Sequence, residues 1–301
     1  MRAVLLILCL LQASLLLADF EPNDDQASAE PYVIGTTMTG SLHASSPPFD
    51  TKDWYVFTIP QNGSINAVCN VTATLLSFSI WGANNQVQFA GNGGSTVISH
   101  TVTCLQAGTY WVLVQASSQD PNYSFTITFT PEPLSNDPEP NNDTSQATIF
   151  SSTVSGHIGF RDNTNSMEVD DYYKIITSTD ANLKFTVTTS VSATFNLYYS
   201  DLLSVGQLLA PVGQPTETVF NCLRQGTYYL RVSRNPAFLG CGSYSIDLEI
   251  DSLQNAETEP NDSCHQAIPI TQQSFEGTLG FVKPTDDDDW YLLTVPKDGE
   301  L

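Results

Sequence analysis

A repeat constrains this chain more than any other feature. Glu21-Pro22-Asn23-Asp24 returns as Glu139-Pro140-Asn141-Asn142 and again as Glu259-Pro260-Asn261-Asp262, at separations of 118 and 120 residues. Asp53-Trp54-Tyr55 returns as Asp171-Tyr172-Tyr173 and Asp289-Trp290-Tyr291, 118 residues apart each time. Gly108-Thr109-Tyr110 returns once, 118 residues on, as Gly226-Thr227-Tyr228. Landmarks that share one period mark a structural unit copied along the chain. The spacing predicts two complete modules, 19–133 and 134–253, and the opening of a third over 254–301. The third stops at Leu301, soon after its Asp289-Trp290-Tyr291 segment, where the other modules run on for about 75 residues. A stub of that size leaves sheet edges unpaired, so the sequence is expected to be part of a longer chain.

Within a module the short segments are rich in β-branched and aromatic residues and alternate in polarity. Trp54 to Ile59, Ser64 to Thr72, Tyr110 to Gln115 and Ser124 to Thr130 read as strands. Gln61-Asn62-Gly63, Gly91-Asn92-Gly93-Gly94, Gln106-Ala107-Gly108 and Asp120-Pro121-Asn122 read as turns. About eight such strands in a module predict an antiparallel sandwich with jelly-roll or Greek-key wiring. One short helical turn is expected after each Glu-Pro-Asn motif, at Gln26-Ala27, Gln146-Ala147 and Gln266-Ala267. The fold class is all-β, in tandem β-sandwich modules.

Residues 1–18 read as a secretory signal: Arg2, an apolar run from Val4 to Leu17, and a small residue at the exit. The run is too short for a membrane span of about 20 residues. A secreted or cell-surface location follows, and with it an oxidising environment. Five cysteines remain beyond the signal. Cys69 with Cys104 is the natural bridge within one module, and Cys222, Cys241 and Cys264 cannot be paired by spacing.

The chain carries 32 acidic and 10 basic side chains, a formal charge of −22. Such a surface repels phosphate backbones and anionic membranes, so nucleic acid is excluded as a partner. The acids are not scattered. Asp19, Glu21, Asn23 and Asp24 precede Asp50 and Asp53 in the first module. Asp137, Glu139, Asn141 and Asn142 precede Glu168 and Asp171 in the second, and Glu257, Glu259, Asn261 and Asp262 precede Asp286 and Asp289 in the third. From each motif Glu to the strand-leading Asp the distance is 32, 32 and 30 residues. Two oxygen-rich groups held at a fixed separation in a rigid sheet are expected to meet in space. Carboxylates that close repel one another unless protonated or neutralised, and Lys and Arg are scarce nearby. A Ca²⁺ ion, which takes six to eight oxygens at about 2.3–2.6 Å, fits this donor set. Zinc does not, because His43, His100, His157 and His265 stand apart from one another and from any cysteine pair.

The ordered features resemble the bacterial pre-peptidase C-terminal domain, a family similar to the collagen-binding modules of secreted collagenases. They are Glu-Pro-Asn-Asp, a glycine-bearing strand (Gly40, Gly156, Gly277), an acidic pair before Trp/Tyr-Tyr, and Gly-Thr-Tyr near the end. The resemblance spans residues 19–301. It implies a calcium-binding jelly roll, with ligand roles for Glu21, Asn23, Asp24, Asp50, Asp53 and their equivalents. The second module departs from the pattern at Asn142 and Glu168, which implies a site with one charge fewer.

No Gly-x-Ser-x-Gly elbow, His-Glu-x-x-His helix or phosphate-binding glycine loop occurs. An Asp pair such as Asp50 and Asp53 suits a glycosidase, but its recurrence at every module start suits a structural ion better. The expected function is that of secreted, calcium-binding, non-catalytic accessory modules, with an extracellular fibrous protein or polysaccharide as partner. The alternatives are the N-terminal part of a secreted peptidase or other hydrolase with its catalytic domain beyond Leu301, and a cell-surface adhesive repeat protein. If Tyr110, Val112 and Val114 face the core, Trp111 and Tyr229 either look outward as ligand contacts or pack under a loop or against the second sheet. Trp54, Tyr172 and Trp290 are expected in the core.

Overall fold

A computed structural model describes residues 16–72, 75–85, 87–133, 135–208, 210–235, 237, 240–253, 261–271, 274, 277, 279–282, 285–286 and 288–294. Most of the expected signal segment, residues 1–15, lies outside the described residues. Two compact units emerge: 1–132 with 160–167, and 133–159 with 168–301.

In unit 1 the strands are β1 (Leu16–Ala18), β2 (Glu30–Pro31), β3 (Thr37–Ser41), β4 (Lys52–Ile59), β5 (Gly63–Val71) and β6 (Leu76–Trp81). They continue with β7 (Gln88–Gly93), β8 (Val97–Leu105), β9 (Gly108–Ala116) and β10 (Asn122–Pro131). One sheet has the order β1-β3-β10-β5-β8 and the other β2-β4-β9-β6-β7. From β3 to β10 the chain crosses between the sheets at nearly every step, which is jelly-roll wiring. Alternation decides which side chains enter the sandwich. On β9 the inward set is Tyr110, Val112 and Val114; on β5 it is Ile65, Ala67 and Cys69; on β10 it is Tyr123, Phe125 and Ile127. Phe125 lies at the centre, its ring 4.9–5.6 Å from those of Tyr32, Tyr55 and Phe78.

Unit 2 repeats the plan. Its strands are β11 (Thr148–Ile149), β12 (Thr153–Ile158), β13 (Asp170–Thr177), β14 (Ala181–Thr189) and β15 (Ala193–Tyr199). β16 (Ser204–Leu208), β17 (Thr216–Leu223), β18 (Gly226–Arg234) and β19 (Gly242–Ser252) complete its two sheets. The orders are β11-β13-β18-β15-β16 and β12-β19-β14-β17. Phe185, Phe195, Leu230 and Ile246 fill its core. The third repeat contributes β20 (Ile268–Pro269), β21 (Phe281–Val282), β22 (Thr285–Asp286) and β23 (Tyr291–Leu292). The first pairs with the last in parallel, as β2 pairs with β4 and β11 with β13.

Two expectations change. The Gln-Ala segments form single hydrogen-bonded turns rather than helical ones, closed by Gln146 N–H on Asp143 O at 3.1 Å and Gln266 N–H on Ser263 O at 2.9 Å. The Cys69–Cys104 bridge does not form. Cys69 is a free thiol buried in the core, whereas Cys104 is disulfide-bonded, as is Cys241. The register explains this: Cys69 sits opposite Ile98, which puts Cys104 about 20 Å away along β8 at ~3.3 Å per residue, far beyond disulfide reach.

Burial pushes the Cys69 thiol up to about 12, and Cys264 is exposed. Brief alkylation of the native, non-reduced protein is therefore expected to modify Cys264 and leave Cys69 unmodified until the chain is denatured. Peptide mass mapping reads the outcome, and rapid native labelling of Cys69 would contradict the packing described.

Candidate metal centre

Each cluster begins with a backbone clasp. The amide of the residue after the strand-leading Asp donates to the carbonyl of the motif Asn: Trp54 to Asn23 at 2.9 Å, Tyr172 to Asn141 at 2.8 Å and Trp290 to Asn261 at 2.9 Å. The clasp ties the linker to the end of the strand, and the parallel pair just beyond (Glu30–Pro31 on Tyr55–Val56 in unit 1) holds it there. All three Asn side chains are fully buried.

In unit 1, carboxylate oxygens of Asp19, Glu21 and Asp53 lie within 4.8 Å of one another. Asn23 Nδ2 donates to Asp19 Oδ1 at 2.8 Å, and its backbone N–H donates to Glu21 Oε2 at 3.2 Å. The Tyr55 hydroxyl donates to Asp19 Oδ1 at 2.7 Å, while Tyr123 holds Asp53 Oδ2 through a short hydrogen bond and also bonds Tyr55. Asn23 Oδ1, Asp53 Oδ1 and Asp50 Oδ1 remain buried with no hydrogen-bond partner. Unit 2 repeats the arrangement with Asp137, Glu139 and Asp171 within 4.8 Å. Asn141 Nδ2 donates to Asp137 Oδ1 at 2.6 Å, and the Tyr244 hydroxyl donates to Asp171 Oδ2 at 2.6 Å. There Asn141 Oδ1, Asp137 Oδ2 and Asp171 Oδ1 have no partner. Among the described residues, every buried side-chain oxygen without a hydrogen bond belongs to these two clusters. A buried oxygen left so is costly, and six of them in two acidic clusters make a donor set that could hold a metal ion.

The electrostatics agree. Burial, with the charges of Asp19, Asp50 and Glu21, pushes the Asp53 carboxyl up to about 8, against the pull of the Tyr123 hydroxyl. Burial and the neighbouring Glu139 raise Asp137 to about 7. Glu168 rises to about 10, first through burial and then through its hydrogen bond with Glu139. Asp171 is raised well above its ordinary value, mainly by burial. Glu21 and Asp50 are raised by burial and by the carboxylates around them.

The structure thus brings Asp19, Glu21, Asn23 and Asp53 together, with Asp50 adding its charge to the group, and likewise Asp137, Glu139, Asn141, Glu168 and Asp171. Asp24 and Asn142 are exposed, although Asp24 still raises Asp50. In the third repeat Asn261 is buried, Asp262 is exposed, and the Tyr291 hydroxyl donates to Asp289 Oδ2 at 3.3 Å. Asp286 lies on β22, and Glu257 and Glu259 fall outside the described residues.

Two residues per cluster escaped the sequence reading: the tyrosine pairs Tyr55–Tyr123 and Tyr173–Tyr244. Their signal was the glycine-bearing strand. A Cβ on Gly40 would lie 2.3 Å from the Tyr123 hydroxyl, and one on Gly156 would lie 2.3 Å from that of Tyr244. The glycine is there to admit the tyrosine that orients the carboxylate.

A second feature lies on the outer face of the β4/β9/β6 sheet. Trp54, Trp81 and Trp111 share it, with Trp111 between Val56 and Trp81 in register, and the rings of Trp54 and Trp81 are 6.0 Å apart. The same positions in unit 2 hold Tyr172, Tyr198 and Tyr229. Beside them Arg231 makes a paired contact with Asp170, 2.9 Å on each arm, and lies 5.8 Å over the Tyr172 ring. Trp111 and Tyr229 therefore look outward, opposite Tyr110, Val112 and Val114. The core placement expected for Tyr172 and Trp290 is corrected, while the burial expected for Trp54 is found. Trp54 is buried, but on the outer face against Trp81; Tyr172 is half-buried; Trp290 is 48% exposed. Alternation after an inward-facing Asp decides it, because the residue that follows faces the other way.

No protein family and no curated protein matches this chain. Among solved structures, it is similar to the pre-peptidase C-terminal domain of collagenase from Bacillus anthracis, at 21% identity and a TM-score of 0.29, over 38% of this chain and 99% of that one. It is also similar to the tandem CBM51 modules of the family 98 glycoside hydrolase from Streptococcus pneumoniae, at 10% identity and a TM-score of 0.23, over 71% and 83% of the two chains.

In ion-free protein, carboxyls raised in the folded state favour folding while protonated and oppose it once charged. With Asp53 near 4 when unfolded and near 8 when folded, stability falls as pH rises through that window. Chelator-treated protein is expected to melt at progressively lower temperature from pH 4 to pH 8, with Asp53→Asn flattening the slope. A melting temperature that climbs over that range would contradict the buried, uncompensated cluster.

Proposed function

We propose that this chain is a secreted array of calcium-binding β-sandwich modules without catalysis of its own, which attaches to an extracellular polymer. The observation that carries the reading is the gathering of three carboxylates within 4.8 Å in each unit, beside buried oxygens that have no hydrogen-bond partner. Carboxylate and amide carbonyl oxygens, with no cysteine or histidine among them, favour Ca²⁺ over softer metals. Asp19, Glu21, Asn23 and Asp53 would hold the ion in unit 1, and Asp137, Glu139, Asn141 and Asp171 in unit 2, with Asp50 and Glu168 at hand. By the repeat, Glu257, Glu259, Asn261, Asp262, Asp286 and Asp289 form a third set. Asp24 and Asn142 are assigned to the sites by the same repeat. The ion's role is structural: it offsets the charge that otherwise opposes folding.

Calcium at 100- to 1,000-fold excess over its dissociation constant is expected to stabilise each unit by roughly 2–4 kcal/mol. Calorimetric titration of chelator-treated protein is expected to show heat, with Asp53→Ala and Asp171→Ala each removing one site. Absence of heat, together with a melting temperature unmoved by calcium, would refute the reading.

The attachment surface is the aromatic face. Flat rings flanked by hydrogen-bonding groups suit a sugar polymer or a fibrous protein. Its chemistry differs between units: indoles in unit 1; phenols with an Asp170-fixed guanidinium in unit 2. In a sedimentation assay on insoluble polysaccharides and on fibrillar collagen, Trp111→Ala and Tyr229→Ala are each expected to lower the bound fraction several-fold at unchanged melting temperature. Retention by both variants equal to the parent would remove this face as the attachment surface.

A further inference from the structure

Residues 160–167 belong to unit 1, although the chain on either side of them belongs to unit 2. They form a finger closed at its base by Gly159 N–H on Glu168 O at 3.0 Å. Its main chain is bonded into the turn that follows β8. Arg161 N–H donates to Cys104 O at 2.7 Å, and Gln106 N–H donates to Arg161 O at 2.8 Å. Further out, Ala83 N–H donates to Asn163 O at 2.7 Å, and Asn163 Nδ2 donates to Thr109 O at 3.2 Å. Gly82 makes room for it, since a Cβ there would sit 2.0 Å from Asn163 O.

The same parts recur one period later. Gly280-Phe281 repeats Gly159-Phe160, with φ of +94° and +85° at the two glycines. The turn after β17 repeats the turn after β8, with Cys222 and Cys104 both in left-handed backbone. Within unit 2, Phe281 is buried and its ring lies 3.7 Å beneath the Arg224 guanidinium, at the position Gln106 holds in unit 1. The first module's own loop, closed by His43 and Asp50, has Ala44 where the others have Phe. It bonds to its own unit through Ser45 and Asp120 and leaves Phe49 exposed.

The geometry points to a serial coupling device: the turn before each Gly-Thr-Tyr strand is an acceptor, and its partner is the Gly-Phe finger of the following repeat. Each module is completed by residues encoded in its successor, so each loses stability when the finger seated on it is removed.

The tryptophans make this measurable. In a Trp290→Phe background every indole lies in unit 1, so fluorescence reports the melting of that unit alone. Replacing Arg161–Ser166 by Gly-Ser-Gly-Ser in the full chain is expected to lower the tryptophan midpoint by roughly 5–10 °C. It is also expected to speed hydrogen exchange at the Ala83 and Gln106 amides at least tenfold while leaving β13 protected. An unmoved midpoint with unchanged exchange at those amides would overturn the proposal. Phe281→Ala is the converse: the tyrosine-detected transition of unit 2 falls and the tryptophan midpoint stays. A fall in the tryptophan midpoint instead would overturn it as well. Both variants are measured in chelator and in calcium, so a failed metal site and a failed finger remain distinguishable.

Discussion

Everything in each module is arranged around the problem of holding like charges together inside a sandwich. The clasp between the motif Asn carbonyl and the strand amide costs nothing electrostatically, and it fixes the linker where its acids face the buried strand-leading Asp. Tyrosine hydroxyls then take one oxygen of that Asp and leave the other bare. Two neutral donors orient the carboxylates without cancelling their charge, which is what a cation site requires of its surroundings. The glycine strand opposite exists to let the phenol in. A single electrostatic problem thus accounts for the Asn, the Gly, the Tyr and the acidic pair.

Much of this was legible in the chain. Alternation in segments such as Tyr110 to Gln115 separated core from surface. Two acidic groups at a near-constant spacing announced that they meet. What stayed hidden depended on register. Cys69 and Cys104 look like natural partners until β5 and β8 are laid side by side, when Cys69 falls opposite Ile98. Trp54 looks like core because it is large and apolar, yet the buried Asp53 before it sends its ring to the far side of the sheet. The finger at 160–167 was invisible for a different reason: its bonds are made by main-chain groups, which no side-chain pattern records.

The two aromatic faces show how a repeated scaffold diverges. The positions of Trp54, Trp81 and Trp111 are kept aromatic in unit 2, but indoles become phenols, and Leu113 gives way to Arg231, anchored by Asp170. The backbone beneath is the same jelly roll, and the inward residues keep their apolar character. Change has concentrated on the side of the sheet where packing does not forbid it.

Because residues 160–167 complete unit 1 from the far side of a linker, the boundary seen by an exon, a protease or a cloning primer is not the boundary of the folded body. A piece cut after Glu132 would be missing part of its own surface, while one cut after Met167 would carry a tail it cannot fold. Such an arrangement resists being shuffled as independent beads.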